Sequence, residues 1–193
     1  MQARSEETRM QLMEAAQRRF AIFGYNAASV ADICSDAGVS KGAFYHHFPS
    51  KQAVFLALLE SWLSAVDANL ETARRDSVPA TLMSMAETLP EILVAADGRL
   101  PMFIEFWLQA SRDETIWKAT IAPYRRYQQY FAKLVEAGIA EGSFKAVDSQ
   151  AVAQMIVSLA VGTLLQALLA PKNSDWGRTI RENLSILMKG LSQ

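Results

Sequence analysis

SVADICSDAGVSKGAFYHHFPSK, residues 29–51, reads as helix, tight turn, helix and stop. Ser29 suits an N-cap, and Asp32 stands three residues on, where a capping box takes an acidic partner. Val30, Ile33 and Ala37 fall on one helical face. Gly38 can turn left-handed and end that helix. Val39 can fill the corner, and Ser40 can cap a second helix whose apolar points are Phe44 and Phe48. Pro49 stops it.

The second helix has an unusual outward side. Lys41, Gly42, Ala43, Tyr45, His46 and His47 are small, hydrogen-bonding or cationic. Small residues at its start permit close approach to a surface, and Tyr, His and Lys offer donors to phosphates or base edges. A helix-turn-helix sets such a helix in the DNA major groove. With GVSKGAFYHHFPSK in view, the chain resembles the TetR family of one-component bacterial repressors over roughly residues 8–60. The alternative is a helical hairpin that only happens to carry these residues.

Composition bounds the rest. The 193 residues suit one large or two small domains, and 51% are hydrophobic, enough for a packed core. The apolar runs read as interrupted by charge, none reaching the roughly 18 residues of a membrane span, so no membrane partner is expected. MQARSEETRM lacks the apolar core of a signal peptide. A single cysteine, Cys34, excludes an internal disulfide and fits a cytoplasmic protein. Cys34 reads as a small packed residue beneath the reading helix rather than a redox switch. Net charge is −1, so this is no general nucleic-acid binder. Residues 1–51 hold six cations and five anions, which points to a few placed DNA contacts and modest non-specific affinity.

The rest of the chain reads as further helices, so the fold expected is all-α. Leu12, Ala16, Phe20 and Phe23 space a first helix over 6–23, closed by Gly24. Ser50 caps a long fourth helix from Lys51 to about Arg75. Further helices are expected at 79–96, kinked at Pro90, at 102–110, and at 115–138 with Pro123 near its start. DGRLP (97–101) reads as a turn and 138–144 as a loop. A helix over 149–169 shows two apolar seams, one through Val152, Met155, Ile156, Leu159, Thr163 and Gln166, the other through Val157, Val161, Leu164, Leu165 and Leu168. Pro171 ends it, and a last helix covers 176–191. Such a pair can form half of an intermolecular four-helix bundle or can simply close the monomer's core.

No catalytic constellation stands out, and an enzyme is not expected. His46 and His47 are adjacent and diverge by about 100° on a helix, so they cannot chelate one metal from one face. No nucleophile elbow, phosphate loop or dinucleotide fingerprint occurs. No metal or cofactor is therefore expected. Aromatic residues gather in 102–131, as in a ligand pocket or in an ordinary helical core. Glu105 interrupts the apolar run MFIEFWLQA, where a carboxylate among rings could hold a cation or merely face water.

The resemblance implies more. It implies a three-helix DNA-binding head, residues 1–50, and a helical ligand-binding and dimerisation domain, 51–193. Partners would be a double-stranded, roughly palindromic operator, a small-molecule effector, and a second copy through 149–169 and 176–191. By position, Lys41, Gly42 and Ala43 would lie near base edges, Tyr45, His47 and Lys51 at phosphates, Ser29 and Ser40 at caps and backbone, and His46 at either base or phosphate. Effector-binding candidates are Trp62, Phe103, Glu105, Phe106, Trp107 and Tyr127. A carrier module that kept the fold without DNA binding is the alternative function.

Overall fold

A computed structural model describes residues 2–95, 100–170 and 175–192, all helices and connections. The elements are α1 (Gln2–Ala27), α2 (Val30–Ala37), α3 (Lys41–His47), α4 (Lys51–Thr72), α5 (Val78–Ala95), α6 (Leu100–Ala110), α7 (Glu114–Ala140), α8 (Ser149–Leu169) and α9 (Trp176–Leu191). The all-α expectation holds for the described residues.

Local chemistry explains most boundaries. The Gly24 backbone (φ 78°, ψ 160°) breaks α1 in a conformation open essentially to glycine alone. Ser29 and Asp32 close a reciprocal capping box at α2, and Gly38 ends that helix at φ 66°, ψ 29°. Ser40 caps α3 by accepting from Ala43 N–H. Phe48 is extended, as a residue before proline tends to be, so α3 stops there. Asp148 and Asp175 cap α8 and α9.

Three expectations change. The loop read at 138–144 starts later, because α7 runs to Ala140. Phe144 folds back on Gly138, where a Cβ would lie 2.4 Å from its ring, so the glycine is a packing site within the helix. Second, α8 carries no charged residue, and α4 and α8 are both long and apolar enough by composition to cross a membrane. The expected interruption by charge is present in α4, at Glu60 and Asp67, and absent from α8, so the expectation that no run reaches the length of a span fails. Both contribute buried residues to helical cores, as apolar helices of helical proteins do. Third, the two α8 seams are resorted: Val152, Ala153, Ile156, Val157, Thr163 and Ala167 are buried, whereas Met155 and Leu165 are exposed. The kink side chain Pro90, most of the DGRLP turn and Pro171 lie outside the described residues.

Packing groups the chain into two compact units, Met1–Ala65 with Gly98–Thr120, and Val66–Asp97 with Ile121–Gln193. In the first, Leu12, Phe20, Ile33, Phe44, Phe55 and Phe106 share one core. α6 thus belongs with the helix-turn-helix, which no local pattern in its sequence announced. In the second, Leu82, Val135, Phe144, Val152, Ile180 and Leu184 form another core.

Candidate nucleic-acid interface

α3 is anchored by one face and bare on the other. Phe44 is fully buried and Phe48 nearly so, while Tyr45 keeps 56% of its surface exposed. Lys41, Gly42 and His46 are exposed, and Ala43 and His47 are half-buried. A Cβ on Gly42 would meet only Ser40 Oγ, at an ordinary 3.7 Å. The fold therefore has no steric need of glycine there, and a helix interior loses about 0.5–1 kcal/mol by having one.

α2 holds α3 in place. Arg19 of α1 grips Asp36 of α2 through Nε and Nη2, with 2.6 Å from Nη2 to Oδ1. The Arg19 hydrogen bond holds the Asp36 carboxyl below the usual carboxylate range, and hydrogen bonds from the Ser29 hydroxyl and N–H do the same for Asp32. Ser29 Oγ accepts from Asp32 N–H at 3.1 Å and donates to Asp32 Oδ2 at 2.6 Å. The oxygens of Ser29 and Ser40 thus both serve as helix caps. Cys34 is buried, and burial pushes its thiol pKa up, away from the reactive thiolate.

Lys51 is turned inward. Its Nζ donates to the carbonyls of Tyr25 (2.7 Å) and Ala28 (2.9 Å), with Asn26 O at 3.4 Å, and sits 4.4 Å from the Tyr25 ring centre. An ammonium so occupied is not turned toward a phosphate. Nothing in the segment around Lys51 signals this, because its partners lie 23–26 positions away.

The effector candidates fall in different surroundings. Phe106 is buried, its ring 4.5 Å from that of Phe55. Trp62 packs against the same core, and Trp107 is 38% exposed. Glu105 Oε1 accepts from Tyr25 N–H at 2.9 Å and from Gln109 Nε2 at 2.8 Å. The Phe103 side chain lies outside the described residues. Tyr127 belongs to the second unit and donates its hydroxyl to Asp67 Oδ1 at 2.9 Å, beside an Arg126–Asp67 ion pair at 2.8 Å. Burial, then this bond to Asp67, pushes the Tyr127 phenol up to about 12, leaving it a neutral donor at physiological pH. The Asp67–Arg126–Tyr127 cluster was not foreseen. Its signal would have been an Asp on a mostly apolar helix, which is weak.

A capped helix-turn-helix with an exposed, small-headed second helix, carried on an all-α chain, defines a DNA-binding transcriptional regulator. Comparison with known proteins agrees. Residues 12–58 match the model of bacterial regulatory proteins of the tetR family. Residues 80–184, more than half the chain, match that of the BetI-type transcriptional repressor, C-terminal. The chain belongs to the TetR family, with a BetI-type C-terminal part.

Among its relatives, the HTH-type transcriptional regulator YfiR of Bacillus subtilis is 25% identical over 97% of this chain and 93% of its own. The A-factor receptor protein of Streptomyces griseus is 28% identical over 85% of this chain, which spans 56% of that protein. Among solved structures, a TetR transcription regulator from Haloarcula marismortui superposes with a TM-score of 0.82 at 19% identity, covering 97% of this chain and all of that one. A transcriptional regulator from Saccharomonospora viridis in complex with choline gives 0.80 at 22%, covering 97% and 99%. At these identities the superpositions speak for the fold.

Proposed function

We propose that this chain is a ligand-responsive repressor, acting in the cytoplasm as a homodimer that holds a roughly palindromic operator and releases it when a small molecule binds. Residues 1–50 are the reading head, and 51–193 the effector-binding and dimerisation part. The observation that carries the DNA reading is the bare face of α3, with a glycine at its head that the fold does not need. Lys41, Gly42 and Ala43 approach base edges, while Tyr45, His46 and His47 reach bases and phosphates. Ser29 and Ser40 set the backbone against the duplex, and Lys51 supports the surface from behind. Two such helices would enter successive major grooves about 34–36 Å apart.

The dimer uses α8 and α9. Ala151, Met155, Ser158, Gly162, Leu165 and Leu169 repeat at spacings of four and three along α8. Met155, Leu165 and Leu169 are 55%, 41% and 75% exposed, and nothing lies within 4 Å of a Cβ built on Gly162. Small residues between large ones let a second helix approach closely.

The effector is a small organic cation, held by the rings of Trp62, Phe106 and Trp107 and by the Glu105 carboxylate. The choline bound by the Saccharomonospora relative supports this class. Effector binding favours one placement of α4, and so one separation of the two heads. It acts only as strongly as it prefers that state.

Selection from a random DNA library, followed by footprinting and mobility shift at two salt concentrations, tests the DNA part, with Tyr45→Ala as control. A two-fold protected site, weakened by salt and lost in the variant, is expected. Failure to enrich any site would favour the carrier function. Choline is the first effector probe. If it binds and leaves operator affinity unchanged, the coupling is wrong.

A further inference from the structure

We propose that Glu105 is a positioning residue for DNA reading: from α6, its carboxylate fixes the bend at residues 24–28 on which the helix-turn-helix is built. The proposal goes beyond the effector role, since it concerns the ligand-free protein.

The bend is held by two charged side chains, Glu105 and Lys51. At Gly24 the chain leaves the α1 axis with φ 78°, ψ 160°. A half-buried N–H beyond such a break needs an acceptor. Tyr25 N–H finds it in Glu105 Oε1, 2.9 Å away and 80 positions along the chain. Gln109, buried one turn further along α6, donates Nε2 to the same oxygen at 2.8 Å and so fixes the carboxylate's orientation. A Cβ at Gly24 would stand 3.7 Å from Glu105 Oε2, so the bend and the carboxylate lie against each other. Lys51 Nζ also binds the bend, at the carbonyls of Tyr25 and Ala28.

This arrangement leads directly to the reading helix. Ala28 is buried and precedes Ser29, the cap of α2. α2 passes through Gly38 to the Ser40 cap of α3. The Tyr25 ring packs on Phe20 and Phe55, and Phe55 packs on Phe106, the neighbour of Glu105. A shift of α6 that withdraws the carboxylate frees the Tyr25 end of the bend, and the start of α2 moves with it. A carboxylate that accepts one backbone N–H and one side-chain amide is thus used to set a loop.

The test uses the full-length, ligand-free dimer and the operator recovered by the selection above. Operator Kd is measured per binding-competent dimer, the competent fraction being counted by stoichiometric titration. Hydrogen exchange of the Tyr25 amide and the thermal midpoint are read in parallel. Glu105→Ala should weaken operator binding about tenfold and speed Tyr25 exchange by a similar factor, as loss of a hydrogen bond to a charged acceptor would. Glu105→Asp keeps the charge but shortens the reach, and should behave alike. Glu105→Gln keeps an oxygen at the original reach and should recover most of the affinity. Where Glu105→Ala fails to fold, the Asp and Gln variants carry the test. A purely structural role would lower the thermal midpoint and the competent fraction while leaving Kd per competent dimer at its original value. That result, or unchanged Tyr25 exchange in Glu105→Asp, would overturn the proposal.

Discussion

Gly42 is a residue whose cost to the fold can be separated from its use. It lies in the first turn of α3, exposed, with ordinary room for a methyl group. Gly42→Ala should therefore raise unfolding stability by about 0.5–1 kcal/mol, because alanine loses less conformational freedom in a helix. The same methyl should obstruct approach to the groove and weaken operator binding. Paired denaturant melts and mobility shifts check both signs, and a variant with unchanged affinity would remove Gly42 from the interface. The capping roles of Ser29, Asp32, Gly38 and Ser40 were legible in the sequence because each acts within three or four residues. The inward turn of Lys51 and the engagement of Glu105 were not, because their partners lie 23–26 and 80 positions away. A lysine and a glutamate look alike in sequence whether they face water, a ligand or a backbone loop.

At the scale of elements, α1 and α2 are tied by Arg19 and Asp36, and the tie has a pH signature. The Asp36 and Asp32 carboxyls are both held below their ordinary range in the folded chain. A carboxyl depressed on folding stabilises the native state above its unfolded pKa of about 3.9, and that contribution is lost as pH falls through the lower folded value. Acid unfolding followed by circular dichroism should thus steepen below about pH 4. Asp36→Asn should be less stable at neutral pH and show a shallower loss on acidification. An unchanged acid profile would mean that the ion pair contributes nothing beyond solvation. α7 gives a second prediction. Gly138→Ala would set a methyl 2.4 Å from the Phe144 ring, so the ring or the helix must move. Overpacking of this kind costs about 1–3 kcal/mol. A lowered thermal midpoint is expected, recovered in part when Phe144 is also replaced by leucine. The helices themselves were readable from apolar spacing, but the end of α7 was not. A glycine pair in GIAEG looks like a loop until Phe144 is seen to need the first glycine bare.

Over the whole molecule, the dimer proposed through α8 would link oligomeric state to DNA reading. A helix without a charged residue that exposes Met155, Leu165 and Leu169 leaves apolar surface to water unless a partner covers it. A C2 partner presents the same face, so one substitution acts twice at one interface. Leu165→Glu would set a carboxylate from each copy into that apolar contact, with desolvation and like-charge repulsion opposing association. The exposed site leaves the monomer's own core unaltered, so the helical circular dichroism should be retained. Sedimentation should then report a monomer, against the dimer proposed for the original chain. Operator affinity should fall about a hundredfold or more, since each head would bind alone, without the effective concentration that the second half-site provides. The footprint identifies the cause, because a lone head that still reads sequence protects one half-site at high protein concentration. Should Leu165→Glu remain dimeric with full affinity, the interface would have to lie elsewhere, and the spacing between heads could no longer be attributed to the α8–α9 pair.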